Sequence, residues 1–215
     1  MNQKDYWNNA AESKEFTTKI QIAELEKYVD KKAFVLDVGC GYGRTLNELH
    51  EAGFTNTLGI DFSEKMIKRG IKMFPELNLK VKKSAAIDLE ANSVDAVILF
   101  AVLTCIVENK EQTYLIDEIK RILKPNGIIY INDFLLNEDE RNIRRYEQFR
   151  NKYGSYGIFE LQEGALLRHH EENWIKELLK DFNILEYHNL IHKTMNGHVS
   201  KGFYYIGNKK ARLSN

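Results

Sequence analysis

The stretch Val35-Leu36-Asp37-Val38-Gly39-Cys40-Gly41-Tyr42-Gly43-Arg44 constrains the fold of this chain more than any other. A short apolar run ends in an acid, and three glycines then stand at alternate positions. Glycine costs backbone entropy, so this density implies left-handed turns or a backbone that must approach a ligand closely. In an open parallel sheet, ligands bind beyond the carboxyl ends of the strands, at the switch point after the first strand. The dinucleotide fingerprint at that point is GxGxxG. Here the pattern is DxGxGxG, with the third glycine one residue early and an acid two residues before the first. That acid would repel a pyrophosphate, and it suits a ligand that carries an ammonium group.

The rest of the chain alternates strand and helix signals. Residues 33–38 read as a buried strand, 44–52 as a helix closed by Gly53, and 57–60 as a second strand. Asp61 and Ser63 offer an N-cap to a helix over 64–73. Residues 79–83 read as a strand nearer the sheet edge and 95–100 as a central one. Residues 110–123 place Tyr114, Leu115, Ile119, Ile122 and Leu123 on one helical face, and Lys124-Pro125-Asn126-Gly127 turns the chain into a strand over 128–134. A charged helix over 138–153, a loop over 154–170, a helix over 171–179 and strands over 184–192 and 198–208 follow. Met195-Asn196-Gly197 reads as the hairpin turn between those last strands. The pattern predicts a doubly wound α/β fold: a mostly parallel seven-stranded sheet with an antiparallel C-terminal hairpin and helices on both faces. One domain results, in three parts: an N-terminal helical lid over 1–32, with its helix near 14–29, a core over 33–134, and acceptor-side helices and strands over 135–215.

Composition excludes more than it selects. Basic and acidic residues balance at 31 each, without the basic footprint of nucleic-acid enzymes or of proteins that bind anionic membranes. Cys40 and Cys105 make no CxxC pair and offer no metal spacing, and no signal peptide is read, so the expected setting is the reduced cytoplasm, with no metal. The longest apolar run, 96–107, is too short to span a bilayer.

A second acid at a strand end, in Gly59-Ile60-Asp61-Phe62-Ser63, can accept from both hydroxyls of a ribose. An ammonium, a carboxylate and a ribose occur together in S-adenosylmethionine (SAM). With Ser93-Val94-Asp95-Ala96-Val97 and Ile122-Leu123-Lys124-Pro125-Asn126-Gly127 in the same order, the chain resembles the small, single-domain class I SAM-dependent methyltransferases, which are Rossmann-like. The resemblance implies that Asp37 holds the methionine ammonium, and that Gly39, Cys40 and Gly41 let the backbone approach. It implies that the helix starting at Arg44 favours the carboxylate, Asp61 binds the ribose, and Phe62 lies along the adenine. Phe100 and Ala101 would meet the ammonium, with Leu103 and Thr104 near the transferable methyl. Ala85 stands where many relatives carry an acid for the adenine amino group, so Ala86 N–H and Ile87 packing, or Asp88, would serve instead. Tyr6, in an aromatic-rich start, reads either as part of a lid or as simple packing of a terminal helix.

On the acceptor side the candidates are His169, His170 and Tyr146 as catalytic groups, with an imidazole as base. The alternative is that one histidine caps the next helix and the other is solvated. Arg144 and Arg145, with Arg141, would bind an anionic acceptor, or else pair with Glu138, Asp139 and Glu140 on a solvated face. Asp133 and His198 complete the substrate set. The expected activity is methyl transfer to oxygen or nitrogen of a small-molecule or peptide acceptor, a carboxylate among them, without nucleic acid or membrane. The competing readings are a non-catalytic SAM-binding protein and, on fold analogy, an NAD-dependent oxidoreductase.

Overall fold

The chain, in a computed structural model that describes residues 3–194 and 197–210, begins with helix α1 (Gln3–Ala10) and the single turn α2 (Ile22–Leu25). Five βα-type strands follow: β1 (Val35–Val38), β2 (Thr57–Asp61), β3 (Leu79–Val81), β4 (Val94–Phe100) and β5 (Leu123–Phe134). Helices α3 (Arg44–Glu51), α4 (Glu64–Met73) and α5 (Asn109–Ile122) link them, and a 3-10 turn, Leu103–Cys105, follows β4. Helix α6 (Glu140–Tyr153), the hairpin β6 (Ile158–Glu160) and β7 (Leu166–Arg168), helix α7 (Glu172–Leu178) and the strands β8 (Phe182–Lys193) and β9 (Val199–Lys209) complete the described chain.

The main sheet has seven strands in the order β3-β2-β1-β4-β5-β9-β8, parallel through β5 and antiparallel from β9. This is the architecture that the sequence pattern predicts. Strand residues point alternately to the two faces. Leu36, Val38, Val97, Leu99, Ile129 and Ile131 pack against α5 and α7 on one side. Val35, Ala96, Ile98, Ile128 and Tyr130 pack against Leu25, Leu46, Leu49 and Ile67 on the other. Ser63 caps α4 by accepting from Met66 N at 3.2 Å, as its position suggests.

Two expectations are corrected. No continuous helix runs over 14–29: residues 14–21 have no regular secondary structure, only the single turn α2 is helical in that span, and the longer helix, α1, comes earlier. The segment gives its N–H groups to distant side chains instead: Phe16 N to Tyr42 Oη at 3.2 Å, Ile20 N to Glu48 Oε2 at 3.3 Å and Gln21 N to Tyr130 Oη at 3.3 Å. Residues 154–170 are not all loop, because β6 and β7 pair antiparallel there. Of the expected C-terminal turn, Met195 and Asn196 lie outside the described residues, while Lys193 and Val199 pair on either side.

Candidate active site

The order β3-β2-β1-β4 reverses direction between β1 and β4, and a cavity of about 550 Å³ lies at that point. Asp37, in the fully buried strand β1, lines it, 1% exposed, with neither carboxylate oxygen bonded among the described residues. Burial pushes its pKa up to about 7, with Arg44 drawing it down and Asp61 pushing it further up. The glycines explain themselves sterically. Both have positive φ, and a Cβ on Gly39 would sit 2.7 Å from Val102 Cγ2, one on Gly41 2.7 Å from Phe16 Cε2. Asp61 braces this loop: its Oδ2 accepts from Gly41 N at 3.0 Å and its Oδ1 from Ser63 N at 2.7 Å. Burial raises the Asp61 pKa, and those two N–H groups lower it. Arg44 donates to Glu48 Oε1 at 2.6 Å and lies over the Phe100 ring, its Nε buried without a partner among the described residues. Cys40, Phe62, Phe100 and Ala101 also line the cavity.

Four expected cofactor residues lie elsewhere. Leu103 is fully buried in the core, because the 3-10 turn directs it inward; Thr104, named with it, does line the cavity, beside Val102 and Cys105. Ala86 is exposed and Ile87 is a core residue whose N–H donates to Glu118 Oε2 at 3.0 Å, and neither lines the cavity. Tyr6 is buried against Ala10 and Ala165, since positions 6 and 10 share a helical face, and its neighbour Trp7 faces the cavity.

The far part of the cavity is walled by Phe134, Phe159, Leu161 and Leu167, with Arg141, Arg145 and His169. His169 is 5% exposed and stacks on Phe134 at 5.3 Å. Its Nδ1 lies 2.6 Å from Tyr146 Oη and 3.3 Å from Asn137 Nδ2. Burial, then the Arg145 charge, holds its pKa well below the ordinary value, so the ring is neutral. Tyr146 is fully buried behind His169 and does not line the cavity. His170 points to the opposite side, as the next residue of an extended stretch must. It is fully buried, its ring nitrogens have no hydrogen-bond partner among the described residues, and it borders a second cavity of about 520 Å³ with Glu138 and Glu171. Burial lowers its pKa to about 3.

The arginines divide by helical geometry. Arg141 and Arg145, four apart on α6, face the cavity, and the Arg145 guanidinium lies 3.4 Å above the Phe159 ring. Arg144 points to solvent and pairs with Glu140 at 2.5 Å. Asp133 is fully buried and off the cavity. Its oxygens accept from Phe134 N at 2.8 Å and Thr104 N at 3.2 Å, which holds the 3-10 turn in place, and burial pushes its pKa up to about 7. His198 lies exposed at the rim. Among the cavity residues that sequence reasoning misses are Phe16, Phe159, Leu167 and Ser200. The apolar pair Ile158-Phe159, bounded by Gly157 and Gly164, was a usable signal for a short strand there; Phe16 had none.

Among the described residues no helix is long and apolar enough to cross a membrane. A family model described as a methyltransferase domain matches residues 36–131. The chain is 26% identical over 116 residues to EEF1A lysine methyltransferase 2 of Danio rerio, covering 48% of each protein. It is 28% identical over 111 residues to tRNA N(3)-cytidine methyltransferase METTL2 of Bos taurus, covering 46% of this chain and 29% of that one. The chain thus spans about half the length of the first of these relatives and under a third of the second. A solved SAM-dependent methyltransferase from Methanosarcina mazei shares the fold, with a TM-score of 0.85 over 91% of this chain and 100% of that chain, at 23% identity.

Proposed function

We propose that this chain, which carries a methyltransferase domain over residues 36–131 and has the class I SAM-dependent methyltransferase fold, moves a methyl group from SAM to oxygen or nitrogen of a small-molecule or peptide acceptor. The observation that carries this reading is the Asp37 carboxylate, buried without a partner beside a glycine loop into which no side chain fits. An isolated buried charge is costly, and a ligand ammonium relieves that cost. A pyrophosphate would worsen it, which disfavours the NAD reading.

In this reading SAM supplies an activated methyl on a cationic sulfur. Asp37 holds the ammonium, and Arg44 with the free N–H groups of α3 favours the carboxylate. Asp61 accepts from the ribose while it keeps the glycine loop in register. Phe62 packs along the adenine. Residues 1–32 act as a lid, through Trp7 and Phe16, which line the cavity and exclude water. Holding the acceptor in line then supplies much of the rate, several kcal/mol of about 7–11 available to well-oriented reactants. The balanced charge favours a non-nucleic acceptor, and the free thiols of Cys40 and Cys105 fit a cytoplasmic setting.

Titration calorimetry tests the cofactor. SAM and S-adenosylhomocysteine (SAH) are expected to bind in the micromolar range and NAD not at all. Binding of NAD without SAM overturns the proposal.

A further inference from the structure

We propose that the acceptor docks through a carboxylate on a small apolar body, held by the Arg145 guanidinium and by an N–H of His169. This rests on the methyltransferase reading and specifies the acceptor it leaves open. The first ground is the tautomer of His169. Asn137 is fixed in orientation, since its Oδ1 accepts from Lys201 N at 2.6 Å and its Nδ2 donates to Leu135 O at 2.7 Å. Nδ2 therefore also faces His169 Nδ1 as a donor, at 3.3 Å. Tyr146 Oη accepts from Asn137 N at 3.3 Å, which leaves its proton for Nδ1, 2.6 Å away. With donors on Nδ1, the ring proton resides on Nε2. Nε2 has no partner among the described residues, and His169 lines the cavity. His169 is thus a hydrogen-bond donor to the cavity, which removes it as the base.

The second ground is charge. Arg145 has no carboxylate within ion-pair distance among the described residues, and its Nε is buried without a partner. Among the described residues Arg141, one turn earlier, meets no carboxylate but Asp139, at 3.8 Å. The carboxylate on this part of the wall, Glu163, is exposed at the rim and pairs with Lys14 at 3.1 Å. The acceptor side thus offers cations and a neutral donor against apolar walls, and a planar guanidinium matches a carboxylate in two-point geometry. A cationic amine would meet repulsion there. Because the cavity is shared with SAM, the apolar walls leave room for a small body only.

Calorimetry with SAH-loaded protein tests this, with phenylacetate as the probe and phenylacetamide, phenethylamine and phenyl phosphate as comparisons. Phenylacetate is expected to bind at least tenfold more tightly than the amide or the amine. Arg145→Gln should cost tenfold or more for phenylacetate and leave SAH affinity unchanged, with Arg145→Lys recovering part of the loss. Equal binding of amide or amine, no binding of phenylacetate, or indifference to Arg145→Gln overturns the inference. Tighter binding of phenyl phosphate overturns the carboxylate and points to a phosphorylated acceptor. Nitrogen-15 NMR should show His169 protonated at Nε2; a proton on Nδ1 overturns the donor role. SAH binding is measured first, so its failure sinks the SAM reading, whereas intact SAH binding without carboxylate preference sinks this inference alone.

Discussion

Asp37 carries two opposed costs in one carboxylate. Ionised, it is buried without a hydrogen bond; protonated, it cannot pair with an ammonium. Its pKa of about 7 lies above the ordinary 3.8, so its contribution to stability is full below pH 4 and is lost as pH rises through 7. Across that window the loss reaches about 4 kcal/mol at most. Asp37→Asn should therefore make the ligand-free protein more stable at pH 8, read by urea unfolding, and weaken SAM by roughly 1.5–3 kcal/mol. Below pH 7 the parent should release a proton as SAH binds, seen as buffer-dependent heats; buffer-independent heats at pH 6 would contradict the assignment. Asp61 differs because its oxygens already hold Gly41 N and Ser63 N. Asp61→Ala should cost roughly 1–3 kcal/mol in SAM affinity and a similar amount in stability. An effect on stability with none on SAM affinity would assign Asp61 to the loop alone.

At the scale of elements, the irregular segment 14–21 matters most, because it lays Phe16 over the glycine loop. Phe16 stacks on Tyr42 at 5.0 Å and is half-buried, so Phe16→Ala should cost only about 1 kcal/mol of stability. As part of a lid it should also speed SAM dissociation by about tenfold, measured by stopped flow, and an unchanged rate would reduce the segment to packing. This segment was also the least legible. Its Thr17-Thr18 pair disfavours helix, but its path is set by acceptors on Tyr42, Glu48 and Tyr130, up to 109 residues away in the chain, which no local window contains. The parallel strands were legible because apolar runs, Gly53, Ser63 and Gly127 mark their limits. Asp37, Gly39, Gly41 and Asp61 were legible because backbone conformation and chemistry restrict those positions. Side-chain direction was not: Trp7 rather than Tyr6, Arg145 rather than Arg144, and His169 rather than His170 face the cavity. A shift of one residue reverses the facing on an extended stretch and turns it by about 100° on a helix, and residue type alone does not reveal the phase.

The whole molecule buries titratable groups of opposite sign, and its stability against pH follows from their balance. Asp37 and Asp133 have raised pKa values and favour the fold as pH falls from 7 toward 4. His169, His170 and His192 have lowered pKa values and oppose it as pH falls below 6.5, because the unfolded chain takes up protons that the folded chain refuses. The two sets act over the same interval, so the net profile between pH 5 and 8 should be shallow. His170 separates them best, since it is fully buried and off the main cavity. Its folded pKa of about 3 means that at pH 5 the unfolded chain gains roughly 2 kcal/mol from protonating this ring. His170→Phe keeps an aromatic ring and removes that term, and the adjoining cavity leaves space for the larger side chain. The variant should match or exceed the parent's stability at pH 8, where a buried unpaired imidazole is replaced by an apolar ring. At pH 5 its advantage should be larger by about 2 kcal/mol, read from urea unfolding at both pH values. SAH affinity at pH 8 should not change, because the ring borders the second cavity and not the first. An equal advantage at both pH values would mean that His170 stays neutral in the unfolded chain or charges readily in the folded one, and the histidine side of this balance would fail.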